Sequence, residues 1–134
     1  EVLLWSLVSV GGIPVSDYLT ARGLEITDAD KATIDEQVRR AAYHIIEGKK
    51  ATYYGVGAAL ARICEVILHN QRAILTICAP HDEIVGVKDV TIALPHLISG
   101  EGVIDSLPLT LTDEETARLA KSAQIVRSAI DLLP

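Results

Sequence analysis

The side chains able to do chemistry in this sequence are few and scattered. Four histidines (His44, His69, His81, His96) and two cysteines (Cys64, Cys78) are the candidates for metal binding or nucleophilic attack. No two histidines take the H-x-x-x-H spacing that would aim both at one ion from a helix face, and the cysteines form no C-x-x-C pair, so no metal set is predicted. There is no G-x-S-x-G elbow and no phosphate-cradling loop. Each histidine is therefore expected at the surface or in a satisfied structural role. His96 follows Pro95, is expected in a loop, and is the least explained of the four. Cys64 and Cys78 sit in apolar runs and are expected to be buried thiols in a reducing compartment, which points to the cytoplasm. The carboxylates Asp28, Asp30, Asp113, Glu114 and Glu115 gather at expected helix starts, where capping explains them without an acid/base pair.

One glycine motif needs a decision. Gly55-Val56-Gly57-Ala58-Ala59-Leu60 approaches the dinucleotide fingerprint G-x-G-x-x-G. The third glycine is a leucine, the residues before it do not form a clean buried strand, and a run of strands follows instead of a second βα unit. The segment reads as a tightly packed helix.

The elements that must position these residues follow from patterning. Val2–Val10 is apolar and β-prone, and is expected to be a strand ending at Gly11-Gly12, with Pro14 soon after and a short strand or helix near Ser16–Leu19. Thr27 or Asp28 is expected to cap a long helix with Asp30 in its first turn. Its apolar residues Ile34, Val38, Ala41, Ala42, Ile45 and Ile46 recur on one face, and Gly48 is expected to stop it. A second helix is predicted from about Tyr53 to Asn70. Strands are predicted at Ala73–Ala79, Val90–Leu94 and Leu107–Leu111, with Pro108 marking an edge position in the last. Thr112-Asp113-Glu114-Glu115 is a capping box that opens a final helix bearing Leu119, Ala123, Val126 and Ile130 on one face. Strand, helix, helix, several strands, helix is an α+β order, with an antiparallel sheet packed against long helices. No boundary is expected inside residues 1–134.

Composition sets the outer limits. The chain has 134 residues, 49% of them hydrophobic and 22% charged, enough for one packed domain. The net charge of -6, with Arg39-Arg40 and Lys49-Lys50 the only basic pairs, excludes the basic track that nucleic acid requires. No stretch approaches the ~20 apolar residues of a membrane span. The chain has no methionine and opens on Glu1 directly into an apolar run, so it is expected to be a fragment of something longer.

Three collinear segments, which together cover essentially the whole chain, resemble the lactate/malate dehydrogenase family. Glu1-Val2-Leu3-Leu4-Trp5 through Gly11-Gly12-Ile13-Pro14-Val15 resembles the strand after the family's active-site histidine motif. Val38-Arg39-Arg40-Ala41-Ala42-Tyr43 through Gly48-Lys49-Lys50-Ala51-Thr52-Tyr53-Tyr54-Gly55-Val56 is similar to the substrate-pocket helix and helix junction of bacterial lactate dehydrogenases, and is the most specific of the three. Val103 through Glu115, Leu119 and Ser122-Ala123 looks like the family's last strand and C-terminal helix.

The resemblance implies the C-terminal, substrate-binding half of an NAD-dependent L-lactate dehydrogenase. The nucleotide-binding Rossmann half, the proton-donating histidine with its aspartate, and the substrate-binding arginines would all lie upstream of Glu1, so the chain alone is expected to be inactive. The parent would pass a hydride between nicotinamide and pyruvate or lactate while the histidine moves the proton. Thr52 matches the family's substrate-contacting threonine; read from its spacing alone, it could equally cap the next helix. Ala41 and Ala42 match the pocket wall near the substrate methyl, and could equally be a packing face. Val56 matches an aliphatic contact to the nicotinamide ring, and could equally be a core valine. The implied partners are pyruvate or lactate, the chain's own Rossmann half, and further copies of itself as a tetramer, with no nucleic acid and no membrane. Two alternatives stay open: a malate dehydrogenase of the same family, against which Thr52 speaks, and a non-catalytic assembly module.

Overall fold

The opening apolar run is not one long strand. In the computed structural model, which describes residues 2–133, Trp5–Leu7 is a single 3-10 turn, and only Ser9–Val10 (β1) pairs, antiparallel, with Ile13–Pro14 (β2). Gly11 and Gly12 make the turn between them with φ of 61° and 84°, a left-handed backbone that glycine adopts without steric cost. Pro14 has no N–H to extend the ladder, and Val2–Leu4 has no strand partner among the described residues. An apolar, β-prone sequence becomes a strand only where a neighbour takes its hydrogen bonds, and here that neighbour is two residues long. Val15–Ala21 (α1) follows at once and closes at Gly23, whose N–H donates to the Thr20 carbonyl while that of Leu24 donates to Leu19.

Thr27 caps the long helix Asp28–Lys49 (α2) through a reciprocal box. The Asp30 N–H donates to Thr27 Oγ1 at 3.1 Å, and the Thr27 N–H donates to Asp30 Oδ2 at 2.9 Å. The hydrogen bonds from Thr27 hold the Asp30 carboxyl below its usual range. Arg39 to Asp35 and Arg40 to Glu36, each four residues apart, brace the polar side at 3.1 and 2.8 Å. The helix does not stop at Gly48. It runs on to Lys49, and the left-handed residue that ends it is Lys50, at φ 65°, whose N–H donates to the Ile46 carbonyl at 2.7 Å. A glycine costs a helix about 1 kcal/mol, too little to break a ladder that continues on both sides. The apolar residues Ile34, Val38, Ile45 and Ile46 are exposed in this chain, and α2 buries no residue fully.

Residues to Thr52 form one compact unit and those from Tyr53 a second. The second opens with Tyr54–Leu68 (α3), which ends near Asn70, whose side-chain oxygen accepts from the Gly100 N–H at 2.9 Å. Ala73–Ile84 (β3) and Val87–Ser99 (β4) form a long antiparallel hairpin, and Gly102–Ser106 (β5) adds to the far edge of β4 in the order β3-β4-β5. Val85 and Gly86, both at positive φ, make the tight turn at the hairpin tip. Asp113–Ile130 (α4) packs on β4. Val90, Ile92 and Leu94 of β4 and Leu119 and Ala123 of α4 form the core, with Val126 half-buried beside them. The expected box caps α4: the Glu115 N–H donates to Thr112 Oγ1 at 3.2 Å, and Glu115 Oε2 accepts from the Thr112 N–H at 3.0 Å.

Leu107–Leu111, expected as a strand, is not one. Leu107 donates to the Pro95 carbonyl at 3.1 Å, and the ladder stops at Pro108. Leu107, Leu109 and Leu111 still alternate inward because the segment lies with one side on the core. A period of two thus reports one-sided burial here, not sheet pairing.

Lys50→Gly relieves a left-handed lysine at an exposed helix end. It is expected to raise stability by about 0.5–1 kcal/mol in urea titration. A loss of stability would mean that the Lys50 side chain, whose Nζ donates to the Glu47 carbonyl at 3.0 Å, contributes more than the backbone strain costs.

Candidate functional site

Three of the four candidate residues fall within the first unit or at its end. Ala41 and Ala42 lie on α2 in the same stripe as Val38 and Ile45, and both are exposed, so neither is buried as a packing face within this chain. Thr52 follows α2 by three residues, within about 10 Å of chain from Lys49. It too is exposed, and its hydroxyl makes no hydrogen bond among the described residues. The capping role that spacing alone allowed is not what the hydroxyl does: α3 starts from Tyr53 as its N-cap, with no side-chain cap bond. A threonine whose hydroxyl the fold leaves unused can serve a ligand.

Val56 belongs to the second unit, in the first turn of α3. It is 57% exposed, not a core valine. Gly55 and Gly57 beside it are helical, with open space where a Cβ would stand. The fingerprint-like glycines therefore form no phosphate-binding turn between a strand and a helix. Toward a nicotinamide group, the residues of this chain fit one apolar contact, at Val56, and no cradle for phosphates.

The remaining candidates resolve differently from expectation. Cys64 and Cys78 are exposed free thiols, not buried ones. Cys64 lies on α3, whose only fully buried residue is Val66. Cys78 takes an outward position on β3, where residues alternate between faces. Among the described residues, no group of three or more histidine, cysteine or acidic side chains could hold a metal ion. Among the described residues, no helix is long and apolar enough to cross a membrane.

His96 is not in a loop. It sits in β4 with 0% of its surface exposed, because Pro95 occupies a ladder position at which the strand continues. Its Nδ1 lies 3.0 Å from Ser106 Oγ, and its ring stacks on His81. Read singly, each histidine suggested nothing. The signal available in the sequence was parity, since His81 and His96 fall on the same face once the hairpin register is known.

The whole chain can now be set against known proteins. The sequence profile described as lactate/malate dehydrogenase, alpha/beta C-terminal domain, matches residues 1–133. The chain belongs to the lactate/malate dehydrogenase family. It is 51% identical over 131 residues to an L-lactate dehydrogenase of Geotalea daltonii, which covers 98% of this chain and 42% of that protein. It is 44% identical over 133 residues to an L-lactate dehydrogenase of Thermus aquaticus, covering 99% of this chain and 43% of that one. The crystal structure of the minor L-lactate dehydrogenase from Enterococcus mundtii in its ligands-bound form superposes with a TM-score of 0.91 at 32% identity, over 100% of this chain and 42% of that chain. The chain thus spans about two-fifths of the length of the relatives it matches. The α+β architecture, with its antiparallel sheets and long helices, is that of the lactate dehydrogenase C-terminal domain.

Because the Thr52 hydroxyl has no partner, Thr52→Val is expected to change the unfolding free energy by less than about 0.5 kcal/mol. A loss above about 1 kcal/mol in chemical denaturation would show that the hydroxyl serves the fold.

Proposed function

We propose that this chain is the substrate-binding half of an NAD-dependent L-lactate dehydrogenase that interconverts pyruvate and L-lactate. The observation that carries the reading is the Thr52 hydroxyl, exposed and unused by the fold at the position where the family places its substrate-contacting threonine. The hydroxyl donates to the substrate carboxylate. Ala41 and Ala42 bear the smallest side chains on the exposed stripe of α2, and leave room for the substrate methyl. Val56 presents an apolar surface to the nicotinamide ring and keeps water from it. When bound, NAD supplies the hydride donor or acceptor, which the protein positions.

Proton transfer belongs to a histidine that none of His44, His69, His81 and His96 matches, so the chain by itself is without dehydrogenase activity. Its own Rossmann half completes it, and the whole protein assembles as a tetramer in the cytoplasm. Support for these partners comes from exposed apolar side chains on α3, Leu68 at 80% exposure among them, which an unpartnered helix would leave in water.

In the protein that carries this chain, Thr52→Val removes one hydrogen bond to a charged group. It is expected to lower kcat/KM for pyruvate by about 10–100-fold, with NADH affinity unchanged. An unchanged kcat/KM would remove Thr52 from the pocket.

A further inference from the structure

β3 and β4 pair in a register that sets His81 against Val90 and Leu75 against His96. Along a straight ladder, the six residue steps from one pair to the other would hold the two histidines about 20 Å apart. Their ring centroids are in fact 5.3 Å apart, with planes 22° from parallel. Both residues occupy the inner face of the hairpin, so the hairpin coils until its tip brings His81 back over His96. His96 is fully buried, and both Nε2 atoms are buried without a hydrogen-bond partner among the described residues. His81 also lines a groove of about 590 Å³ with Glu83, Ser106, Thr116 and Leu119.

We propose that the His81–His96 stack is a proton-released latch: neutral rings hold the β3–β4 tip coiled over the inner face, and a proton on the stack lets the tip open. A charged ring at this contact would be desolvated and would carry an Nε2–H with no acceptor among the described residues. Asp82 and Glu83, beside His81 on β3, are exposed to solvent, and the Asp105 carboxylate on β5 accepts from the Ser106 N–H at 2.8 Å. From α4 the groove receives Thr116 and Leu119, while Glu115 is engaged with the Thr112 cap. On α3, which packs against β4, Arg62 and Glu65 pair with each other at 2.8 Å in solvent. Among the described residues, no carboxylate hydrogen-bonds either ring.

Burial, and after it the neighbouring His81, push the His96 imidazole below its usual 6.5, against a smaller opposing effect of a hydrogen bond to the Asp105 backbone. The sign follows from linkage. Above 6.5 the closed and open forms are both neutral, and the latch holds fully. As pH falls below 6.5, the open form takes a proton that the closed form refuses, so closure weakens until the closed-state value is reached.

The test is hydrogen exchange by mass spectrometry on the protein that carries this chain, at pH 7.5 and 5.5, with rates corrected for intrinsic pH dependence. Amides of residues 80–90 are expected to lose protection on acidification, by at most about tenfold, the ceiling for one pH unit below the open-form value, while those of α4 hold. In His96→Leu, or in His96→Gln should the leucine variant not fold, the pH response at 80–90 is expected to vanish. No loss of protection in the unaltered protein, or an equal loss in the variant, would overturn the latch.

Discussion

The second unit is built on one buried strip, the inner face of β4 beneath α4. Val90, Ile92 and Leu94 meet Leu119 and Ala123 there, and each large side chain so buried contributes about 1.5–3 kcal/mol. The strip fixes the hairpin register, because a slip by one residue would turn every buried side chain of β4 to water. It also seats Leu109 and Leu111 without any ladder.

Outside that strip the chain buries little. α2 has no fully buried residue and α3 has one, Val66, although both carry many apolar side chains. A sequence that is 49% hydrophobic thus presents much of its apolar surface to solvent. The candidate residues lie in these uncovered regions. Ala41, Ala42, Thr52 and Val56 are all exposed, and the one hydroxyl among them is not used in folding.

Local chemistry was legible in the sequence, and tertiary context was not. Both capping boxes, at Thr27–Asp30 and Thr112–Glu115, could be read directly, because their partners are three residues apart. So could the inward face of α4. The opening strand failed because apolar character does not supply a partner strand. Gly48 failed because helix termination depends on which residue turns left-handed, and that residue was Lys50. Leu107–Leu111 misled because alternation records burial on one side, whatever buries it. Cys64 and Cys78 misled because an apolar neighbourhood in sequence is not cover in space. The candidate site is an expectation from family likeness alone: alanine, alanine, threonine and valine carry no distinctive chemistry by which a sequence could mark them.

The central claim is that this domain serves a dehydrogenase acting on pyruvate and L-lactate. The most direct measurement is NADH oxidation by the protein that carries the chain, with pyruvate and oxaloacetate compared at equal concentration. The account predicts a kcat/KM for pyruvate far above that for oxaloacetate. Comparable or faster turnover of oxaloacetate would contradict it and place the protein on the malate side of the family.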